Sequence, residues 1–553
     1  TLPHNADPAK VREAVQELGA DAWAHRKRYM KPLHRSLVRA FRKHPFRFFA
    51  ADAKRGRVRS GSALISTVAL GQALRRKWVG QEMVGILMPP TVAGALVNYA
   101  ASLSGRVPVN LNYTLSADAL RSCIEQCNIR TVVTSKAFLE QIKLDVPVET
   151  ILLEDIAKSI GIGRKLAAAL AAALLPVGLL ERLLGSKHKA AMDDLATVIF
   201  SSGSTGAPKG VMLSHYNVVS NIQQIGQAFA LDRNDRILGI LPFFHSFGFT
   251  GTLWLPPLLG SGAVYHPNPV DGRGIGELVG EHRVTFLVAT PTFLQIYIRA
   301  CTPEQFGSVE FVLAGAEKLS ERLATAFEDR FGLRPMEGYG TTETSPVVTI
   351  NTRDFRSAGF RQVGAKRGSI GHPLPGMVAR IVDPDTGAPV ALGRAGLLLV
   401  KGPNVMQGYL GQAEKTAEVL RDGWYTTGDI AAMDADGFLA ITDRLSRFSK
   451  IGGEMVPHIK VEENLHELGE LTEQTFAVTG VPDERKGERL VVLYQNLDES
   501  AVQSVVEKMT ATDLPNIWKP RSDQFFKVEA LPYLGTGKLD LKQIKTLAAE
   551  LSP

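Results

Sequence analysis

Apolar positions fall in short runs separated by helix-period segments over much of the first 320 residues. Residues 84–88 (VGILM) read as a buried strand, 91–103 as a helix of small residues, and 107–111 as a second strand. Residues 116–126 read as a helix opened by a Ser116 cap, and 131–134 (TVVT) as a third strand. Strands separated by helices predict a parallel sheet with crossover helices. The alternation returns over 236–312, where LGILPF, GAVYH, VTFLVAT and EFVLAG are strand candidates. Two similar α/β halves are expected, although no repeat shows in the letters. From 369 to 400 the pattern changes to short strands with Gly, Pro and Asp-Thr-Gly turns, a small β subdomain. Beyond Arg444, about 110 residues read as a compact α+β unit of ordinary domain size. The predicted fold is α/β: a large N-terminal part of two parallel-sheet α/β subdomains plus a small β subdomain, then a small α+β C-terminal domain.

Composition narrows the class. The chain has 553 residues, 45% apolar and 22% charged, which excludes disorder, collagen-like repeats or a disulfide scaffold as descriptions of the whole. Its three cysteines point to a reducing compartment. Cys123 and Cys127, four apart, are expected to share one helix face, because no second pair or nearby His completes a metal site.

Charge is concentrated in one place. Residues 26–59 carry 13 basic side chains and one acid, Asp52, so a chain of net charge +7 sums to −5 elsewhere. Such a segment suits nucleic acid, an anionic membrane or an acidic protein, and equally suits a solvated basic helix. The most apolar stretch, 166–180 (LAAALAAALLPVGLL), is 15 residues long and contains Pro176 and Gly178. It falls short of the ~20 residues that cross a bilayer. It is expected to lie on a membrane surface, with a buried helix or a collapsed loop as the alternatives. Residues 1–24 lack the basic-then-apolar order of a signal peptide, and the start at Thr1 suggests a piece of a longer protein.

The most informative stretch is 198–214, VIFSSGSTGAPKGVMLS. A buried strand runs into Ser202, Gly203, Ser204, Thr205 and Gly206, followed by Pro208 and Lys209. Glycines let backbone N–H groups approach a phosphate chain, hydroxyls add donors and a lysine adds a point charge. A P-loop would end in Gly-Lys-Ser/Thr; here the order is Pro-Lys-Gly, so that reading fails.

SSGSTGAPKG resembles the phosphate loop of the AMP-forming adenylating enzymes: acyl-CoA synthetases, peptide-synthetase adenylation domains and firefly luciferase. Further motifs of that family follow in order: GYGTTE at 338–343, YTTGDI at 425–430, Asp443-Arg444 at the hinge, and YLGTGK at 533–538. The resemblance covers about residue 26 to the C-terminus. It implies that ATP and Mg²⁺ are used to activate a carboxylate, a reaction in which two anions meet and the site must neutralise charge as pyrophosphate leaves. It implies that Ser202 to Gly206 and Lys209 surround the β- and γ-phosphates, and that Glu343 holds Mg²⁺. Tyr339, between Gly338 and Gly340, would stack on adenine, with Thr342 near the α-phosphate. Asp429 would accept from the ribose hydroxyls, with Arg444 nearby. Lys538 would bridge the carboxylate and α-phosphate in the transition state. His245, in LPFFHSFG, would lie beside the acyl carboxylate, where the bland reading is a satisfied core histidine. LAGAEKL at 313–319, with Gly315, Ala316 and Glu317, would wall adenine from the acyl tunnel.

LAGAEKL, RFSKIGGEMVP at 447–457 and PYLGTGKLD at 532–540 resemble the synthetase half of bacterial bifunctional acyl-acyl carrier protein synthetase/2-acylglycerophosphoethanolamine acyltransferase. That likeness implies a fatty acid substrate and transfer to holo-acyl carrier protein, with CoA as the alternative acceptor, in phospholipid acyl recycling. It also implies an acyltransferase domain ahead of the synthetase in the full-length protein. The chain departs from the wider family at the hinge, where the usual Asp or Lys is Ser446, and where Pro-x-Glu is replaced by Pro457-His458-Ile459. The expected domains are a basic arm (1–60), a large adenylation domain (61–443) and a small mobile domain (444–553) carrying Lys538. The expected location is peripheral, on the cytoplasmic face of a bacterial inner membrane.

Two other classes fit less well. Acyltransferase chemistry uses His-x-x-x-x-Asp, which occurs at His188/Asp193 and His266/Asp271 at chance frequency and in no suitable context. A nucleic-acid binder using the basic arm lacks any recognised binding motif.

Overall fold

The computed structural model describes residues 8–201, 208–451, 454–471, 473–483, 487–512, 514–533 and 539–552. Of these, 8–201, 208–378 and 400–425 form one compact unit, and 379–399 with the residues from 426 onward form the other.

In the first unit, a nine-stranded sheet is found among the described residues. Its centre is parallel, running Met336–Gly340, Phe311–Ala314, Phe286–Ala289, Arg236–Gly239, Gly262–Tyr265 and Phe48–Asp52. Antiparallel strands close both edges, Val347–Ile350 and His372–Pro373 on one side and Gly56–Arg59 on the other. Phe286–Ala289 (FLVA) and Phe311–Ala314 (FVLA) are buried throughout, because crossover helices cover a parallel sheet on both faces. A second, four-stranded parallel sheet runs Val107–Asn110, Met83–Ile86, Thr131–Thr134, Glu149–Leu152. These are the two expected α/β subdomains. A third, antiparallel sheet pairs Leu195–Ser201 with Lys209–Ser214, and the latter with Gly408–Tyr409.

Local chemistry explains the helix starts. Ser116 Oγ accepts from Ala119 N–H at 3.4 Å and Thr91 Oγ1 from Gly94 N–H at 3.1 Å, each satisfying a donor in the first turn. Cys123 and Cys127 are unpaired and buried in one cluster with Leu120 and Ile124, and burial pushes both thiols up to about 12.

Two segments differ from their sequence reading. The basic residues 26–59 do not form a separate arm. They contain the helix Leu33–Lys43, whose Leu33, Leu37, Val38 and Phe41 are buried, and the strand Phe48–Asp52, which pairs in parallel with Gly262–Tyr265 inside the large sheet. Apolar residues between the charges carry this segment into the core. The stretch 166–180 is neither one helix nor a loop: helix Ile162–Leu174 ends before Pro176, and a second helix, Val177–Leu184, follows. Among the described residues no helix is long and apolar enough to cross a membrane.

The second unit contains the strand Trp424–Met433 from residue 426 onward, paired antiparallel with Leu439–Arg444, and a C-terminal sheet of Phe448–Ile451, Glu454–Pro457, Phe476–Asp483, Gly487–Tyr494 and Phe525–Lys527. Side chains alternate across the paired central strands. Phe476, Val478, Leu490 and Val492 pack with helices His458–Leu468 and Glu499–Thr510. Ala477, Val481, Val491 and Leu493 pack with Ile544 and Ala548 of helix Leu541–Leu551.

Candidate active site

The motif GYGTTE lies at the end of strand Met336–Gly340 and in the turn that follows it. Gly340 is required by close approach: a Cβ there would sit 1.9 Å from the Pro346 carbonyl oxygen. Thr341 caps a single turn, Thr342–Thr344, that carries Glu343. Buried asparagines fix this turn. Asn404 Nδ2 donates to the carbonyls of Thr344 (2.6 Å) and Val347 (2.9 Å), and Asn221 Nδ2 donates to Val347 O at 2.7 Å.

The Glu343 carboxylate accepts a hydrogen bond from the Tyr409 hydroxyl at 2.9 Å. Burial and the neighbouring carboxylate push that phenol well above its ordinary range, so it remains a donor. Tyr425, almost fully buried, is raised for the same reasons and also feels Tyr409 and Tyr339. Lys209 opens the strand Lys209–Ser214, and its ammonium lies 5.2 Å from the centre of the Tyr409 ring. The fold thus joins Lys209, Tyr339, Glu343, Tyr409 and Tyr425, drawn from four separated stretches of chain.

The residues expected on the acyl side also converge. His245 precedes the short helix Ser246–Gly248, its ring 4.7 Å from that of Phe244. A Cβ on Gly315 would lie 3.1 Å from the Phe247 ring, so the 313–319 segment runs directly against this aromatic turn. Ala316 takes a left-handed φ of 69°. Glu317 accepts from the Thr292 hydroxyl at 2.7 Å, which ties the segment to helix Pro291–Ala300.

In the second unit Asp429 and Arg444 are direct partners on neighbouring antiparallel strands. Arg444 Nε donates to Asp429 Oδ1 at 2.7 Å, and Asp429 is buried while Arg444 is half exposed. Next to them Asp443 is fully buried, accepting from the backbone N–H groups of Arg444 (2.7 Å) and Ile459 (3.1 Å). Burial pushes its carboxyl up to about 7. His458, in place of the usual Pro-x-Glu pattern, hydrogen-bonds Ser449 at 2.8 Å, and burial pushes it down to about 3. Ser446 lies in the turn Leu445–Arg447. Ser202, Gly203, Ser204, Thr205, Gly206 and Lys538 lie outside the described residues.

Among the described residues no cluster of three or more His, Cys, Asp or Glu side chains forms a metal cage. A lone anchored carboxylate such as Glu343 fits Mg²⁺, which is characteristically held by one or two carboxylates together with substrate phosphates and water. The His-x-x-x-x-Asp matches are structural. Asp271 caps helix Gly272–His282 and lies 3.4 Å from His266, while His188 faces Asp194 rather than Asp193. Sequence reasoning missed Tyr409, Asn221 and Asn404, and gave Tyr425 no role beyond opening the YTTGDI motif. Tyr409 lies in GYLGQAEKT, which carries no charge at the tyrosine to attract notice.

Comparison with known proteins identifies the family. The profile of the AMP-binding enzyme family matches residues 66–410, and the chain belongs to that family. It is 35% identical over 355 residues to a feruloyl-CoA synthase of an Amycolatopsis species, covering 63% of this chain and 69% of that protein. It is 30% identical over 489 residues to the probable 4-coumarate–CoA ligase 1 of Dictyostelium discoideum, covering 84% and 85%. A long-chain-fatty-acid–CoA ligase of Bacillus subtilis is 37% identical over 303 residues, 53% of this chain and 51% of that protein. ATP-bound MatB of Rhodopseudomonas palustris superposes with a TM-score of 0.77 at 23% identity, covering 95% of this chain and all of that one. O-succinylbenzoate CoA synthetase of Bacillus subtilis, with ATP and magnesium ion, gives 0.75 at 23%, covering 93% and 99%. These two establish the fold. The protein is an AMP-forming acid–thiol ligase, which adenylates an acid with ATP and passes the acyl group to a thiol.

Proposed function

We propose that the acid is a fatty acid and that the acceptor is the phosphopantetheine thiol of an acyl carrier protein. In the first step a carboxylate oxygen attacks the α-phosphorus of ATP, and the bond to the β-phosphate oxygen breaks to release pyrophosphate. In the second the thiolate sulfur attacks the acyl carbonyl and AMP leaves. Glu343, oriented by Tyr409, is the group that would hold Mg²⁺, whose charge favours pyrophosphate departure. Lys209 would draw the outer phosphates, Tyr339 would stack on adenine, and Asp429 with Arg444 would hold the ribose. His245 would meet the acyl carboxylate, and Lys538 would stabilise the charge that develops between carboxylate and α-phosphate.

The observation that carries the acid class is the contact of Phe247 with Gly315, beside Phe244 and His245. It supports an apolar-walled acid site with one polar group where a carboxylate would sit. The basic residues of 26–59 suit an acidic carrier protein. A second reading, CoA as acceptor, is favoured by the relatives named as CoA ligases. Supplying one fatty acid and MgATP with either CoA or holo-acyl carrier protein tests both: faster thioester formation on the carrier protein is expected, and turnover on CoA alone overturns that choice. No acyl-dependent pyrophosphate release with any fatty acid would overturn the acid class.

A further inference from the structure

The helix Ile162–Leu174 presents Ile162, Leu166, Leu170 and Leu174 at four-residue steps, so they lie along one face. They are 78%, 62%, 62% and 73% exposed, and Leu179 on the next helix is also exposed. A contiguous aliphatic stripe left in water marks an interaction surface.

The support beneath it is well defined. Ala168, Ala171 and Ala172 are buried on the other side, where the helix packs against Ser60–Leu74. Arg42 donates to the carbonyls of Ala172 and Leu175, each at 2.7 Å, closing the helix C-terminus with a cation. The following helix is pinned by buried Glu181, which meets His34 at 3.0 Å and Arg35 through two bonds of 2.6 Å.

Within the stretch of chain that carries the stripe, exposed charge has one sign. Between residues 160 and 189 the only acid is Glu181, buried and engaged as described. Arg164, Lys165, Arg182, Lys187 and Lys189 are exposed, as are Arg39 and Lys43 on either side of Arg42. The acids Glu154 and Asp155 belong to the preceding helix, where Asp155 faces Lys158 at 4.0 Å. At 13 residues the helix is about 20 Å long, enough to lie in an interface and too short to span one.

We propose that this helix docks the protein on an anionic lipid bilayer, with its aliphatic face among the acyl chains and the surrounding cations at the headgroups. A bilayer satisfies the apolar stripe and the positive rim together. The inference is independent of which acid or acceptor the enzyme uses.

The test uses the full chain with vesicles of phosphatidylglycerol and phosphatidylethanolamine, and with phosphatidylcholine vesicles as the neutral control. Co-sedimentation with the anionic vesicles is expected. A Leu166→Ser/Leu170→Ser/Leu174→Ser variant should lower the bound fraction at least tenfold while acyl-dependent pyrophosphate exchange on a soluble short-chain acid is retained. Because a triple change can disturb folding, Leu170→Trp gives a second measurement: its emission should shift to the blue on adding anionic vesicles. Equal binding by the triple variant, or no emission shift, overturns the proposal. So does a dimer in sedimentation analysis that the triple variant dissociates, since the stripe would then be covered by a second copy.

Discussion

Tyr409 donates its hydroxyl hydrogen to the Glu343 carboxylate at 2.9 Å, across 66 positions of sequence. The phenol sits against Lys209 on its ring face and is held in a small strand paired with Lys209–Ser214. One residue therefore touches both an anion and a cation of the candidate site. Removing the hydroxyl should leave the packing intact and free Glu343 to rotate. Tyr409→Phe is expected to weaken the apparent Mg²⁺ affinity of pyrophosphate exchange by about 10- to 100-fold, the range for partners that orient metal ligands. A Mg²⁺ titration alongside a thermal melt checks this; an unchanged Mg²⁺ midpoint would separate Tyr409 from the metal.

Lys538→Ala should reduce adenylation by several orders of magnitude and leave ATP binding nearly unchanged, because its interaction is made mainly in the transition state. Exchange of labelled pyrophosphate and equilibrium nucleotide binding give the two numbers. Normal exchange in the variant would remove Lys538 from the reaction.

Arg444→Ala removes the 2.7 Å ion pair with the buried Asp429 carboxylate. Arg444 is half exposed, so water screens the pair and the expected stability loss is about 1 kcal/mol. The larger effect should be a raised KM for ATP, measured in steady-state kinetics at fixed acid.

Asp443 and His458 predict opposing pH responses in the second unit. The Asp443 carboxyl is raised to about 7 in the folded protein. Its stabilising effect is present below the unfolded pKa and fades as pH rises through about 4 to 7. Burial lowers His458 to about 3, so its effect is present above the unfolded value near 6.5 and fades as pH falls toward 3. The two nearly compensate between about pH 4 and 6.5, and single variants should separate them. Asp443→Asn should make stability rise more steeply with pH over that window, and His458→Gln should make it fall. Urea unfolding at pH 4.5, 6 and 8 reads both slopes; two unchanged slopes would mean that neither group titrates on unfolding.

Ser446→Pro stiffens the turn Leu445–Arg447. If the chain between Arg444 and Lys450 is the hinge for alternating half-reactions, thioester formation should slow more than adenylation. Single-turnover measurement of each half-reaction decides it, and equal losses count against a hinge at this turn.

Sequence alone determined what depends on neighbours along the chain. Phe286–Ala289 and Phe311–Ala314 were legible because a parallel strand covered on both faces reads as a near-continuous apolar run. The helix Ala117–Gln126 was legible because Ser116 can reach only its own first turn. The motif order pointed to adenylating chemistry through its resemblance to the AMP-forming enzymes, a likeness carried by short stretches of neighbouring residues. Tertiary structure decided what depends on distant partners. Basic residues 26–59 looked like a solvated arm, yet Phe49, Ala50 and Ala51 lie in the large sheet, since burial is settled by the strand alongside and not by the charges between. Tyr409 has no local feature that points to Glu343; only the pairing of Gly408–Tyr409 with Lys209–Ser214 brings it there. The 166–180 stretch was apolar all round in the letters, and which side faces water was set by Arg42 and by the helix Ser60–Leu74. A chain can encode its own turns and periods locally, but exposure is a property of the surfaces that meet, and those are fixed only when distant segments pack.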